Sequence, residues 1–467
     1  MTRHRGLQRI APLLGALALG GCTALLHHPP PPAPTVPPAF TEPQSTDAGP
    51  PAADWWRGFG SADLSDLVAA ALDANPDLGI AVEHVRQAEA QVRIAGASLF
   101  PVVTLGAGTS RRESRESGGT LVGSNSTNAT LNASYEIDLW GRNAFGVSAA
   151  RSELRATRFD QETARLTVVT GVADAYFEIL SLRARLVIAR KNLADAERVL
   201  KVVDSRVRNG ANSALDLARQ QAAVLSQQAA IPPLELQERQ TLFALAILLG
   251  RPPEGFDTAA ANLEGLTAPR VAPGLPSQLL VRRPDLASAE AQLAAANADV
   301  GAARAALLPS IQLTGSAGLA SSALINVLKA PTLAFSIGAS LLQPIFEGGR
   351  LRAQVTIAES RERELALAYR KAVLAALSDV ESALSTSSHT DEQVALQMEE
   401  LEQARRALAL AEVRYRAGAD DLLVLLDAQR TLFQAEDQLG QLRLAQLEAA
   451  VDLFKALGGG WVIPEGS

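Results

Sequence analysis

The chain has 467 residues, a formal net charge of −7, one cysteine and five histidines. One cysteine excludes an internal disulfide, and the scattered histidines do not have the spacing of a metal site. The acidic balance, without a basic stripe, argues against a nucleic-acid partner. Beyond residue 21 no run reaches the roughly 18 apolar residues of a transmembrane helix, so a membrane crossing would have to use strands.

The N-terminus has the pattern of an export signal. Arg3, Arg5 and Arg9 precede an apolar run over residues 10–19, and small residues follow before Cys22. This order predicts a signal peptide over residues 1–21. Leu19-Gly20-Gly21-Cys22 also resembles the lipobox of bacterial lipoproteins, which implies a lipid on Cys22, and Thr23 favours sorting to the outer membrane. The alternative for Cys22 is an ordinary buried thiol.

A proline-rich segment comes next. Seven of the ten residues from Pro29 to Pro38 are proline, a composition that favours a stiff, extended chain. We therefore predict a tether over residues 22–54, between the lipid and the folded body.

The rest of the chain contains an internal repeat. Asn75-Pro76-Asp77-Leu78 recurs as Arg283-Pro284-Asp285-Leu286, an offset of 284 − 76 = 208. The same offset relates Phe100-Pro101 to Leu308-Pro309, Gly141-Arg142 to Gly349-Arg350, Arg206 and Gly210 to Arg414 and Gly418, and Leu249-Gly250 to Leu457-Gly458. These landmarks predict two copies of one unit, residues 55–250 and 276–467, joined by a Pro- and Gly-rich linker over residues 251–275.

Each copy begins with a helix and a strand hairpin. An apolar stripe with spacings of three and four residues predicts a helix over residues 77–99, ended by Pro101. Strict alternation from Thr127 to Leu139, with weaker alternation before Arg111, predicts a hairpin over residues 101–139 with a polar loop at residues 111–126. The second copy repeats the hairpin over residues 310–343.

A long helical hairpin completes each copy. Residues 145–208 and 351–416 contain no proline, and glycines follow at Gly210 and Gly418. Helices of this length span roughly 100 Å, which is too long for a compact core. Returning helices close the hairpins over residues 145–249 and 351–457, and a narrow, alanine-rich seam from Leu422 to Ala456 predicts close helix packing. We expect Pro232-Pro233 to break the first returning helix.

Together these elements predict an α+β membrane protein. Strands about ten residues long, with one apolar and one polar face, fit a lipid-facing barrel around a water-filled lumen, although an ordinary half-buried sheet shows the same alternation. The export signal and the long helices favour the barrel. Four strands are too few, because membrane barrels need about eight and an open edge cannot face lipid. Several chains are therefore expected to share one barrel.

Four motifs carry a family resemblance. They are Trp55-Trp56-Arg57-Gly58-Phe59, Tyr135-Glu136-Ile137-Asp138-Leu139-Trp140-Gly141-Arg142, Leu275-Pro276-Ser277-Gln278-Leu279-Leu280-Val281-Arg282-Arg283-Pro284-Asp285-Leu286 and Pro344-Ile345-Phe346-Glu347-Gly348-Gly349-Arg350. They resemble the outer-membrane factor family of tripartite efflux pumps, in its OprM and NodT lipoprotein branch, which is related to TolC. The resemblance implies a homotrimer whose twelve strands close one transmembrane β-barrel, continued by a long periplasmic α-helical barrel. It also implies a periplasmic adaptor and an inner-membrane pump of the resistance-nodulation-division type as partners, an outer-membrane location, and no cofactor besides the covalent lipid.

The resemblance also supplies candidate site residues. Arg206, Gly210, Arg414 and Gly418 match the tip turns where the adaptor docks, and the alternative for these turns is a simple helix C-cap. Leu423, Asp427 and Arg430 share one helix face and match the aperture segment, in which a leucine, an aspartate and an arginine form constricting rings. The alternative for Asp427 and Arg430 is a solvated ion pair. Tyr415 matches a tip tyrosine, and Asp420 stands where some relatives have arginine.

Catalytic motifs are not evident in the sequence. Gly315-Ser316-Ala317-Gly318 superficially suggests a serine nucleophile, but it lies inside a predicted strand. We therefore predict a passive exit duct for drugs or other small toxic compounds, and not an enzyme. The competing hypotheses are a lipid-anchored periplasmic coiled-coil scaffold or adaptor, and a type I secretion duct.

Overall fold

A computed structural model describes residues 36–42, 49–115, 121–259, 263, 265–321 and 332–462. The predicted signal peptide and Cys22 lie outside these residues. None of the described helices is long and apolar enough to cross a membrane.

Helices and strands follow one another in the same order in both halves. The first half contains α1 (Ala62–Ala74), α2 (Pro76–Ala97), β1 (Val102–Arg115), β2 (Leu121–Ile137), α3 (Arg142–Arg208) and α4 (Ala214–Leu248). The second contains α5 (Pro284–Ala305), β3 (Ser310–Ser321), β4 (Thr332–Leu342), α6 (Arg350–Arg416) and α7 (Leu422–Ala456), preceded by the one-turn helix Leu279–Arg282.

The two halves confirm the repeat. Helices α2 and α5 both have 22 residues, α3 and α6 both have 67, and α4 and α7 both have 35. Each pair starts 208 residues apart, as in 350 − 142 = 208 for α6 and α3. The chain therefore contains two copies of one unit, which consists of a helix, a strand hairpin and a long helical hairpin.

Capping explains why α3 begins three residues before its predicted start. The Asp138 carboxylate accepts hydrogen bonds from the backbone N–H groups of Asn143, at 3.0 Å, and Ala144, at 2.8 Å. These are first-turn N–H groups that have no partner within the helix. Gly141, with φ of 75°, provides the turn that brings Asp138 there. Helix α3 therefore starts at Arg142, directly after this turn.

The prediction that Pro232-Pro233 breaks the returning helix is wrong. Helix α4 continues through both prolines. Proline has a φ that suits a helix, and its cost is one missing N–H donor and a clash with the preceding turn. Ile231 and Leu234, which flank the pair, pack with Leu182 and Leu186 of α3. This packing accounts for the continuity of α4 across the prolines.

The four strands form one antiparallel sheet in the order β1-β2-β3-β4. Its register places apolar residues opposite one another across all four strands, as in the row Leu105, Leu131, Ala317 and Phe335. The next row is polar and contains Thr104, Asn132, Ser316 and Ser336. Since directly paired residues share a face, the sheet has one apolar face and one polar face.

The first hairpin differs from its predicted bounds. Strand β1 continues to Arg115 and β2 already starts at Leu121, so most of the predicted loop is paired strand. Arg111 pairs with Asn125, and Arg115 with Leu121. Backbone pairing does not require apolar side chains, so the ladder continues past the apolar band. Strand β2 ends at Ile137, because Asp138 caps α3, and Leu139 is therefore outside the strand.

The described chain divides into two units. The first contains residues 84–158 and 288–370, including the sheet, and the second contains residues 36–83, 159–287 and 371–462. In the first unit Gly301 of α5 lies against the Phe145 ring, so closely that a Cβ there would be 2.8 Å from a ring carbon. The second unit has the main aromatic core. There the rings of Trp55 and Phe454 stack at 5.1 Å, and those of Phe59 and Phe177 are 4.8 Å apart.

Helix α7 packs along the expected seam in the second unit. The seam residues are Leu422, Leu425, Ala428, Leu432, Ala435, Leu439, Leu442, Ala449, Leu453 and Ala456, and all but Ala428 are buried. Eight further residues of α7 are also buried, among them Phe433, Val451 and Phe454, whereas Leu423 is exposed. The buried face of this 35-residue helix is therefore wider than the predicted narrow seam, and it indicates helices packed side by side.

The segment before α1 differs from the predicted tether. Phe40 is only 7% exposed and belongs to the main core. Farther along, the N–H of Ala272 donates to the carbonyl of Gly49 at 3.0 Å, and Gly460 approaches Ala52 so closely that a Cβ would clash. Described residues of this segment, Phe40 above all, therefore make packing contacts within the second unit.

A group of carboxylates lies at the packing of α3 against α7. The pKa of Asp174 is raised to about 7, first by burial and then by the charges of Asp452 and Glu448, against the opposing effect of Lys455. One carboxylate oxygen of Asp174 is buried without a hydrogen-bond partner among the described residues. Burial also raises the pKa of Glu448 and of Asp452. Ionised Asp174 is therefore poorly solvated.

This pKa predicts how stability depends on pH. The pKa of folded Asp174, about 7, lies above its unfolded value of 3.8. The contribution of protonated Asp174 to the free energy of unfolding is therefore complete below pH 4 and is lost as pH rises to 7. Asp174→Asn should raise stability at pH 8 by roughly 2 kcal/mol and flatten the loss between pH 5 and 8. Thermal denaturation at both pH values measures this, with exposed Asp160→Asn on the same helix as control. An unchanged pH dependence in Asp174→Asn would contradict the assignment.

Candidate functional site: the helical turns and the start of α7

Both long helices end in the same glycine turn. At the first, the N–H of Ala211 donates to the carbonyl of Arg206 at 2.8 Å, and Gly210 has φ of 74°. At the second, Ala419 donates to Arg414 at 2.9 Å, and Gly418 has φ of 73°. This is the Schellman C-cap, in which a left-handed residue lets the chain reverse. The turns therefore have the backbone geometry of the predicted C-caps.

Arg206 and Tyr415 join the two turns. The guanidinium of Arg206 lies 4.4 Å from the centre of the Tyr415 ring and donates to the carbonyl of Arg416 at 3.0 Å. Tyr415 is 3% exposed and packs with Val203 and Leu422. A cation over a ring face is attracted by the negative charge of the ring face. Two residues that the sequence singled out separately are thus direct partners.

Asp420 forms an ion pair within the second turn. Arg414 donates to both of its carboxylate oxygens, at 2.7 and 2.8 Å. This hydrogen bonding lowers the pKa of the Asp420 carboxyl. A two-bond guanidinium–carboxylate contact fixes orientation as well as distance. The residue that departs from the family pattern therefore holds the turn that carries Gly418.

Leu423, Asp427 and Arg430 lie close together on α7. Arg430 donates to Asp427 at 2.6 Å, and both side chains are mostly exposed, as is Leu423 at 55%. In the single chain this is the solvated ion pair of the alternative interpretation. All three side chains line a cavity of about 230 Å³, together with Ala223 and Ser226 of α4.

Several residues that shape this region were missed by the sequence analysis. Asp421 caps α7 by accepting from the N–H of Val424 at 3.2 Å. Ser213 and Asp216 form a reciprocal capping box at the start of α4. The Ser-x-x-Asp spacing before an apolar run is a signal that could have predicted the second of these. Glu436, 5% exposed, lies 3.2 Å from Lys191 and 3.7 Å from Arg405, contacts that no local pattern predicts.

The serine of the glycine-rich motif lies within the sheet and is paired with another serine. Ser316, in the glycine-rich motif, shares a hydrogen bond with Ser336 at 2.9 Å across β3 and β4. Within the described part of the chain, no group of three or more His, Cys, Asp or Glu residues is arranged to hold a metal ion.

The chain matches the family model "Outer membrane efflux protein" twice, over residues 67–251 and 275–459. The matches are displaced by 275 − 67 = 208 residues, the offset of the repeat. The pyoverdine export outer membrane protein OpmQ of Pseudomonas aeruginosa is 44% identical over 87% of both chains. The outer membrane protein OprJ of the same organism is 34% identical over 97% of this chain and 96% of its own.

The solved structure of an outer membrane channel is also similar to this chain. The open state of the Neisseria gonorrhoeae MtrE outer membrane channel superposes with a TM-score of 0.84 and 32% identity, over 92% of this chain and 98% of that one. The family consists of channels, not enzymes, and the proteins it resembles are outer membrane efflux channels. This chain belongs to the outer membrane efflux protein family and is an outer-membrane efflux channel.

Proposed function

We propose that three copies of this chain close one twelve-stranded barrel in the outer membrane, continued by a tunnel of long helices in the periplasm. The observation that supports this best is the sheet. Its register gives one apolar and one polar face, and in the described sheet the outer sides of β1 and β4 pair with no strand. Lipid cannot hydrogen-bond those free backbone groups, so edges of neighbouring copies must pair with each other.

The exposed apolar side chains support the same assembly. On the apolar face Leu105 is 78% exposed, Phe335 is 80% and Ile337 is 89%, exposures that suit contact with lipid. Helix α2 has no buried residue, whereas its counterpart α5 buries Ala291, Ala295 and Val300. A neighbouring copy packed against the apolar stripe of α2 would remove this difference.

At the periplasmic end, Leu423, Asp427 and Arg430 form the resting constriction. Threefold symmetry brings three copies of each side chain to one axis, where charged rings act on passing ions more strongly than single surface charges do. Their exposure in one chain leaves them available for this role. Tyr415 and the Arg414–Asp420 pair hold the turn beside the constriction.

The two glycine turns, at Arg206 to Gly210 and Arg414 to Gly418, are the docking surface for a periplasmic adaptor. The adaptor connects the duct to an inner-membrane pump of the resistance-nodulation-division type, which supplies the energy. The relative OpmQ is described as exporting pyoverdine. We infer that this duct conducts compounds of similar or smaller size, including drugs.

Removing the constriction should change conduction. In planar bilayers, the triple variant Leu423→Ala, Asp427→Ala, Arg430→Ala should show larger single-channel conductance and altered cation preference, because the rings narrow and charge the pore. A matched control removes the exposed ion pair Glu402 and Arg406 on α6. Parental conductance and selectivity in the triple variant would mean that these residues do not line the constriction.

The lipid anchor that we propose at Cys22 is tested separately from the constriction. Cys22→Ala should abolish labelling with radioactive palmitate, while barrel assembly persists because strand closure supplies most of the insertion energy. Labelling is read after gel electrophoresis, and assembly from the amount of heat-modifiable oligomer in outer-membrane fractions. Palmitate incorporated into the Cys22→Ala protein would rule out a lipid at this residue.

A further inference from the structure

The segment Val36–Glu42 is held on the second unit by two kinds of contact. Phe40 is 7% exposed within the main core cluster. The next two residues use their backbone: the N–H of Thr41 donates to one oxygen of the Glu381 carboxylate at 2.7 Å, and the N–H of Glu42 donates to the other at 3.2 Å. Glu381 is on α6, 340 residues away in the chain.

Proline makes this carboxylate contact hard to replace. Pro37, Pro38 and Pro43 have no N–H, so only four backbone donors remain between Pro38 and Pro43. Glu381 accepts from two of them. Hydrogen bonds to an ionised acceptor are stronger than neutral ones, and two on one carboxylate also fix the direction of the chain. The contact therefore selects one position and one orientation for this segment.

We propose that Phe40 and Glu381 form a clasp that docks the acylated N-terminal arm on the channel body. The proposal rests on the lipid anchor at Cys22. Phe40 is 40 − 22 = 18 residues beyond Cys22 in the sequence, a separation that spans roughly 56 Å at the rise of a polyproline helix. The clasp turns a long arm into a short one of defined reach, so that the body is held near the membrane before its strands insert.

The clasp has a clear physical consequence for assembly. Tethering a body to a surface by a short linker raises its effective concentration there, and a longer or undocked linker lowers it. Undocking at Phe40 would lengthen the free arm towards the next contact among the described residues, the Ala272–Gly49 hydrogen bond. Docking should therefore matter only while the lipid holds the other end of the arm.

Proteolysis of the assembled channel measures docking directly. Chymotrypsin cleaves after Phe40 only when the ring leaves the core, so the cleavage rate follows the undocked fraction. Glu381→Gln should raise this rate roughly tenfold, since it removes the charge and one of the two acceptor oxygens. The control is Glu392→Gln, the same change at an exposed position of α6. Equal cleavage of the parent and Glu381→Gln would overturn the clasp.

Assembly kinetics test the purpose of the clasp. After a pulse label, Glu381→Gln should form oligomers more slowly than the parent in the acylated protein, and should add no further delay in the Cys22→Ala background. An equal delay in both backgrounds would show that Glu381 acts on folding alone and would overturn the arm-docking role. Failure of the anchor itself is recognised separately, because the parent would then take up no palmitate.

Discussion

The unpaired edges of a four-stranded sheet are the constraint on which the rest of this structure depends. Strands β1 and β4 each present a row of backbone donors and acceptors with no partner in the described sheet, next to a face of exposed apolar side chains. Water can hydrogen-bond to the free edges but disfavours the exposed apolar side chains. Lipid accepts the apolar side chains but cannot hydrogen-bond to the edges. Pairing the edges between copies satisfies the backbone and leaves the apolar face for the membrane. In our proposal the oligomer, the pore and the symmetry of the constriction all follow from this pairing.

In our proposal the long helices of both repeats form the periplasmic part of the channel. Helices α3 and α6 have equal length and end in the same glycine turn, so their tips are built alike. At these tips the differences between the copies lie in the side chains. The first turn contributes Arg206, and the second contributes Tyr415 and the Arg414–Asp420 pair. A pseudo-symmetric framework thus holds different side chains, and only the second copy carries the proposed constriction.

Patterns with a fixed period were predictable from the sequence, and contacts between distant segments were not. The offset of 208 residues, the alternating strands and the α7 seam all depend on spacing alone. The start of α3 depends on the Asp138 carboxylate, and the continuity of α4 through Pro232 on packing by its neighbours. The clasp joins residues 340 apart. For the site, the position and partners of Asp427 and Arg430 followed from helix periodicity, whereas the Arg206–Tyr415 contact required the fold.

The most direct test of edge pairing is the mass of the intact assembly released from outer membranes in mild detergent, measured by native mass spectrometry. Our account predicts three chains per particle, with smaller species appearing only when the strands also unfold. A stable single chain that keeps its strand content would show that β1 and β4 do not need a partner, and would contradict the shared barrel.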